Sequence, residues 1–183
     1  MNALRLLQNQ HDRLEGLLVD LREAAAKGDG PRRAALAGFL KEARAHFDAE
    51  ELQFYPAVKP RLILVEAAPF LDEHSPLRAK LDRLEATGET GGAAFDEAWE
   101  AIHEALVQHV SDEEIEMFTE VRRRFDVDEL DALGDRIEQA LPPEGPSPAP
   151  APEPEPEPEG AAAQHQPESE RAEQPREAEH HQH

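Results

Sequence analysis

Two stretches decide how this chain is read: HFDAEELQFY, residues 46–55, and HVSDEEIEMF, residues 109–118. Each opens His-x3-Glu-Glu and closes on an aromatic or sulfur-bearing pair, and the two start 63 residues apart. In a helix, His and Glu spaced i, i+4 lie on one face about 6 Å apart. Working outward, His11 stands 35 residues before His46, and His74 stands 35 before His109. His11 to His74 is again 63. The chain therefore reads as two copies of a helical hairpin, each contributing a His and then a His-x3-Glu.

The surrounding sequence is helical in character. Ala, Leu, Glu and Arg dominate residues 1–141, and no window alternates with period two. Breaks fall at Gly28-Asp29-Gly30-Pro31, around Tyr55-Pro56 to Pro60, and at Thr87-Gly88 to Gly91-Gly92. They cut out four long segments and a short fifth from about Asp128 to Leu141. The apolar stripes are Leu4, Leu7, His11, Leu14, Leu18, Leu21; Leu36, Phe39, Ala43, His46, Glu50, Phe54; Phe70, His74, Leu77, Leu81, Leu84; and Phe95, Trp99, Ile102, Leu106, His109, Glu113, Met117. Steps of three and four residues suit helices crossing at small angles, and short loops join antiparallel neighbours. The expected fold is all-α: an up-down-up-down four-helix bundle with a short fifth helix, spanning residues 1–141.

Composition narrows the function. The chain has 183 residues, a formal charge of −21 and no Cys. That excludes disulfide scaffolds, thiolate metal sites and thiol nucleophiles. An acidic chain lacks the basic face that nucleic acids and anionic membranes require. No apolar run is long enough for a membrane span or a signal peptide, so the expected location is cytoplasmic. Residues 142–183 hold 11 of the 16 prolines and 10 of the 40 acids, with no Val, Ile, Leu, Met or aromatic residue. Such a segment cannot bury enough surface to offset its ordering entropy, and it is expected to be a disordered acidic tail.

Each stripe carries a histidine where core is expected, and two carry a glutamate. A lone interior histidine is ordinarily a hydrogen-bonded core residue. Four imidazoles and two carboxylates converging on one interior are different, because each uncompensated charge would cost several kcal/mol, on the order of 5. A pair of cations neutralises the carboxylates and uses the imidazole lone pairs. Nitrogen and oxygen donors suit iron, manganese or zinc. The ferritin-like carboxylate class needs two Glu-x-x-His words on core helices; the folded region holds one, Glu100 to His103.

His11, His46-x3-Glu50, His74 and His109-x3-Glu113, taken in order, resemble the hemerythrin-like HHE cation-binding domain family over about residues 3–141. The resemblance implies a non-haem centre of two oxo- or hydroxo-bridged irons, with manganese or zinc as substitutes. It also implies histidines as terminal ligands, His11 and His46 on one iron and His74 and His109 on the other, and Glu50 and Glu113 as bridges. Oxygen-carrying hemerythrins have a fifth histidine one turn beyond the third-helix ligand and end in His-x4-Asp. Here that place is Arg78 and the last word is His-x3-Glu, a pattern closer to relatives that sense iron or respond to nitric oxide.

Other residues are read more plainly. His103 should point away from the ligand face, and Glu51 and Glu114 should be salt-bridged or solvated. Tyr55, the only tyrosine, should lie off the ligand face, and Pro76 should kink or begin the third helix. Phe47, Phe54, Phe70, Trp99 and Met117 are read as packing, and the tail histidines as at most weak metal binders. Two functions stay open: a protein that binds or senses oxygen, nitric oxide, peroxide or iron, and a di-iron enzyme with catalase-like or nitric-oxide- or peroxide-detoxifying activity.

Overall fold

The structure is a computed structural model that describes residues 1–62 and 74–141. The tail and Phe70 lie outside the described residues. Among the described residues there is no strand, and no helix is long and apolar enough to cross a membrane.

Helix α1 (Ala3–Ala26) starts on Asn2, whose side chain accepts from the Leu4 N–H at 3.0 Å. It buries Leu4, Leu7, His11, Leu14, Leu18 and Leu21, the whole expected stripe. The turn to α2 (Asp29–Ala49) passes through Gly28 at φ 118°, a conformation that glycine adopts without steric cost. Helix α4 (His74–Gly88) carries Pro76 in its first turn, where a missing N–H costs nothing. Its far end is held by Arg32, whose buried guanidinium donates to the carbonyls of Gly88 at 2.8 Å and Glu89 at 3.2 Å. Helix α5 (Ala93–Asp112) buries Phe95, Ala98, Ile102, Leu106 and His109. Trp99 is only half-buried; its indole N–H donates to the Leu18 carbonyl at 2.9 Å and ties α5 to α1.

Among the described residues, two segments form π turns. After α2 comes one π turn, Glu50–Phe54, and after α5 comes another, Glu113–Met117. Each is closed by an i→i+5 bond, from the Tyr55 N–H to the Glu50 carbonyl and from the Phe118 N–H to the Glu113 carbonyl. Helical structure then resumes as α3 (Tyr55–Val58), leading into a 3₁₀ turn (Lys59–Arg61), and as α6 (Phe118–Arg124). The break expected around Tyr55-Pro56 to Pro60 therefore falls later: the helical path runs on to Arg61, and Leu62 is extended. Pro56 sits at the start of a new α turn, where a residue without an N–H is tolerated.

The last described helix, α7 (Val127–Ala140), begins with a capping box in which Asp126 accepts from the Glu129 N–H and Glu129 reaches back to the Asp126 N–H. It lays Leu130, Leu133 and Ile137 against α1 and the first π turn. Gly134 makes this approach possible, since a Cβ there would run into the backbone of Met1 and Ala3. Gly134→Ala should lower stability by about 1–3 kcal/mol, because backbone cannot move aside as a side chain can. Unchanged thermal melting of that variant would refute the close approach.

Among the described residues, the buried apolar side chains form two clusters. One holds Leu4, Leu7, Phe54, Val58, Phe118, Val121 and the face of α7. The other holds Leu14, Leu18, Phe39, Phe47, Leu81, Phe95 and Leu106. At about 1.5–3 kcal/mol for each fully buried large apolar side chain, both clusters contribute substantially to folding. Between Leu7 and Leu14 on α1 lies His11, and the other sequence-identified ligand residues lie at its level.

Candidate metal centre

The four imidazoles and two carboxylates come together in a polar layer between the apolar clusters. Glu50 and Glu113 are 0% exposed, and His11, His46, His74 and His109 no more than 4%. The donor atoms of His11, His46, Glu50 and His109 lie within 4.8 Å of one another. His74 Nε2 is 3.1 Å from Glu50 Oε2, and Glu113 Oε2 is 3.4 Å from His11 Nε2.

Glu50 has a particular position. Its Oε1 faces His46 Nε2 at 3.3 Å and His11 Nε2 at 3.6 Å, while Oε2 faces His74 Nε2 at 3.1 Å and His109 Nε2 at 3.7 Å. The rings pair in the same way, His11 with His46 at 4.8 Å between centroids and His74 with His109 at 4.9 Å. Across the pairs, His11 and His46 are each more than 6 Å from His109.

The other ring nitrogens face outward to fixed acceptors. His11 Nδ1 lies 2.9 Å from Glu114 Oε1, and His74 Nδ1 lies 3.1 Å from Glu51 Oε1. A carboxylate only accepts, so each Nδ1 carries the hydrogen and each Nε2 turns its lone pair inward. His46 Nδ1 meets Gln10 Oε1 at 3.1 Å. Inside the layer, His11 Nε2, His46 Nε2, both oxygens of Glu50 and Glu113 Oε2 have no hydrogen-bond partner. His74 Nε2 and His109 Nε2 stand 3.4 Å apart. Inward acceptors at such separations fit a cation, because two donors bound about 2.1 Å from one ion at right angles are about 3 Å apart.

Without a cation, protons must balance this charge. Burial disfavours an imidazolium at His11, yet Glu113 and Glu50 beside it prevail and raise its pKa to about 10. Burial drives His46 down to about 3. Burial, then the Glu50 charge, raises Glu113 above the usual carboxylate range. Glu50 is buried too, but the imidazoles of His46, His109, His11 and His74 hold it well below that range.

Tyr55 corrects the sequence reading. It is buried, its hydroxyl donates to Glu113 Oε1 at 2.5 Å and lies 3.3 Å from His74 Nε2, and its ring packs on His74. At about 100° per residue, nine residues put Tyr55 opposite His46 on a regular helix. The π turn delays the path by about one residue and returns Tyr55 to the inner face. Glu51 and Glu114 are ion-paired, as expected, but with ligand-type histidines, a role the sequence reading missed. His103 is turned away and stacks on Trp99 at 4.8 Å. Arg78 reaches Glu51 and Asp48 instead of the inner layer.

Comparison with known proteins agrees with this geometry. The family model for the hemerythrin HHE cation-binding domain matches residues 2–121. Among solved structures, a hemerythrin HHE cation-binding domain-containing protein from Mycobacterium kansasii is similar at 26% identity and a TM-score of 0.65, over 76% of this chain and 87% of that one. No curated protein matches the chain significantly. With its ordered histidines and glutamates gathered in one buried layer, the chain belongs to the hemerythrin HHE cation-binding domain family.

Proposed function

We propose that the chain is a non-haem di-iron protein that binds or senses a small ligand: oxygen, nitric oxide, peroxide or iron itself. His11 and His46 would hold one iron and His74 and His109 the other, with Glu50 and Glu113 between them. The observation that carries this reading is the division of Glu50, one oxygen turned to each histidine pair. Iron held by these residues would supply affinity for a diatomic ligand or peroxide and reversible redox change. The protein's own residues do the rest. Phe47 stacks on His74 at 4.6 Å and Phe118 on His11 at 6.0 Å, so apolar rings keep bulk water from the imidazoles. The carboxylates of Glu51 and Glu114 fix the tautomers.

Elemental analysis after anaerobic reconstitution with ferrous iron should find two irons per chain. Trace metal only would overturn the reading.

The enzymatic alternative rests on Tyr55. A buried hydroxyl within 3.3 Å of His74 Nε2 is a proton donor at the place where a small ligand would be held. If the protein decomposes peroxide, Tyr55→Phe should slow turnover by roughly 10²-fold or more while leaving the iron content at two. Turnover unchanged in that variant would remove the hydroxyl from the chemistry.

A further inference from the structure

The ligand-type residues are no more than 4% exposed, so a cation that reaches them must cross the wall of the bundle. That wall has a hollow. Helix α7 packs against α1, but its cover ends at Leu141, where the backbone becomes extended. Beside it α2 contributes only the small side chain of Ala45. A cavity of about 510 Å³ remains, lined by residues of α1, α2 and α7, and His46 is among them. Six waters take up roughly 180 Å³, so a hydrated divalent ion has room.

The barrier between this cavity and the inner layer is slight. Gln10 also lines the cavity, and its Oε1 meets the outer nitrogen of His46 at 3.1 Å. The outer nitrogens of His11 and His74 rest instead on carboxylates, and Phe118 and Phe47 stack on those two rings. A bond accepted by a neutral amide is roughly half as strong as one accepted by a carboxylate, so Gln10 lets go more readily.

The lining also selects by charge. Asn9 and Gln10 offer amide oxygens, and Glu42 and Glu138 offer carboxylates, the donors that hard cations take. Two cationic groups stand there too, each already matched. Arg13 Nε lies 3.5 Å from Glu42, and the Met1 ammonium lies 3.3 Å from Asp135. Glu138 leaves the balance negative, on a chain of formal charge −21. Such a field raises the local concentration of cations.

We infer that this cavity is the entrance by which ferrous iron reaches the polar layer, with Gln10 as its gate and His46 as the first ligand met. The inference rests on the di-iron reading above and adds a route to it. Gln10 acts as a positioning residue. Released from His46, its amide leaves the imidazole able to turn toward the cavity; restored, it holds Nδ1 outward and Nε2 toward the layer.

The test mixes the full metal-free chain anaerobically with ferrous iron alone and measures the rate of uptake, then the rate of release to excess chromogenic chelator. Ala45→Phe places a ring in the cavity. A plug raises the barrier without changing the ligands, so uptake and release should slow by the same factor, about tenfold or more, with two irons still bound at equilibrium. Ala45→Leu, a smaller plug, should slow both by less. Gln10→Ala removes the gate and should speed uptake by about threefold or more. Val19→Phe, a ring added at an exposed position of α1, should change neither rate. A loosened bundle would admit iron faster, so slowing in Ala45→Phe is not a symptom of damage. Circular dichroism reports the folding of each metal-free variant, and if Ala45→Phe does not fold, Ala45→Leu and Gln10→Ala decide by the same rates. Rates unmoved in the folded Ala45 variants and in Gln10→Ala, with two irons bound, would overturn the entrance and leave the di-iron reading standing. No iron bound by wild type would overturn the di-iron reading itself.

Discussion

On the two-iron reading, Glu50→Gln should empty both halves of the metal centre, whereas His46→Ala should empty one. The reason is geometric: His46 faces one oxygen of Glu50, but the two oxygens of Glu50 face all four imidazoles. Glutamine keeps the size of the side chain and removes its charge, so packing is nearly unchanged and the loss falls on the cations. Iron per chain should drop to roughly a tenth of wild type in Glu50→Gln, in line with the cost of losing one determinant of a metal site. It should drop to about one in His46→Ala, because the His74–His109 half keeps its terminal donors. His103→Ala, stacked on Trp99 and turned away, should retain both irons. A Glu50→Gln protein that still bound two irons would dismiss Glu50 as a bridge.

The second large effect is on stability and its dependence on pH. Metal that binds only the folded chain stabilises it by about 2.7 kcal/mol per site at a hundredfold excess over Kd. Two such sites give about 5 kcal/mol, on the order of 15 °C in Tm for a domain of this size. Protons compete for the same lone pairs. His11 holds its proton up to about pH 10 when no cation is present, so binding at any lower pH must displace it. Affinity should therefore fall about tenfold for each unit by which pH is lowered, from this proton alone. The metal-induced rise in Tm should accordingly be smaller at pH 6 than at pH 8. The metal-free protein moves in the opposite sense. A raised His11 pKa contributes stability that is fully present below its ordinary 6.5 and is lost as pH rises through about 10. Melting curves with and without ferrous iron at pH 6, 8 and 10 check both signs, and a metal-induced rise independent of pH would contradict them.

Much of this was legible in the residues. The repeat of 63, the stripes and the words His-x3-Glu need only regular helical periodicity, and the described members of those stripes are buried except for Trp99. What periodicity could not give is the pair of π turns, because the stretches EELQF and EEIEM carry no local signal for a wider turn. Regular periodicity therefore puts Tyr55, the first residue after the earlier π turn, about 100° out and off the inner face. The prolines at 56 and 60 independently signal a break that the structure passes through. The outer partners Gln10, Glu51 and Glu114 were hidden by a different cause. Their targets lie on other helices, and sequence spacing describes one helix at a time.

The polar layer between the two apolar clusters has a consequence for cooperativity. Oil-like contacts propagate along the bundle from each end but stop at the layer, where mostly imidazoles and carboxylates meet. Above and below it, the clusters are joined by continuous backbone and by whatever the layer itself contributes. With cations bound, the layer fastens all four helices and the two ends should open together. With protons in their place, the ends have leave to open separately. Hydrogen exchange on either side of His11 would register that change as one protection level becoming two. Occupancy of a few atoms at the middle would thus reach the ends of the molecule as a difference in how often they open, without any change in the bundle's average shape.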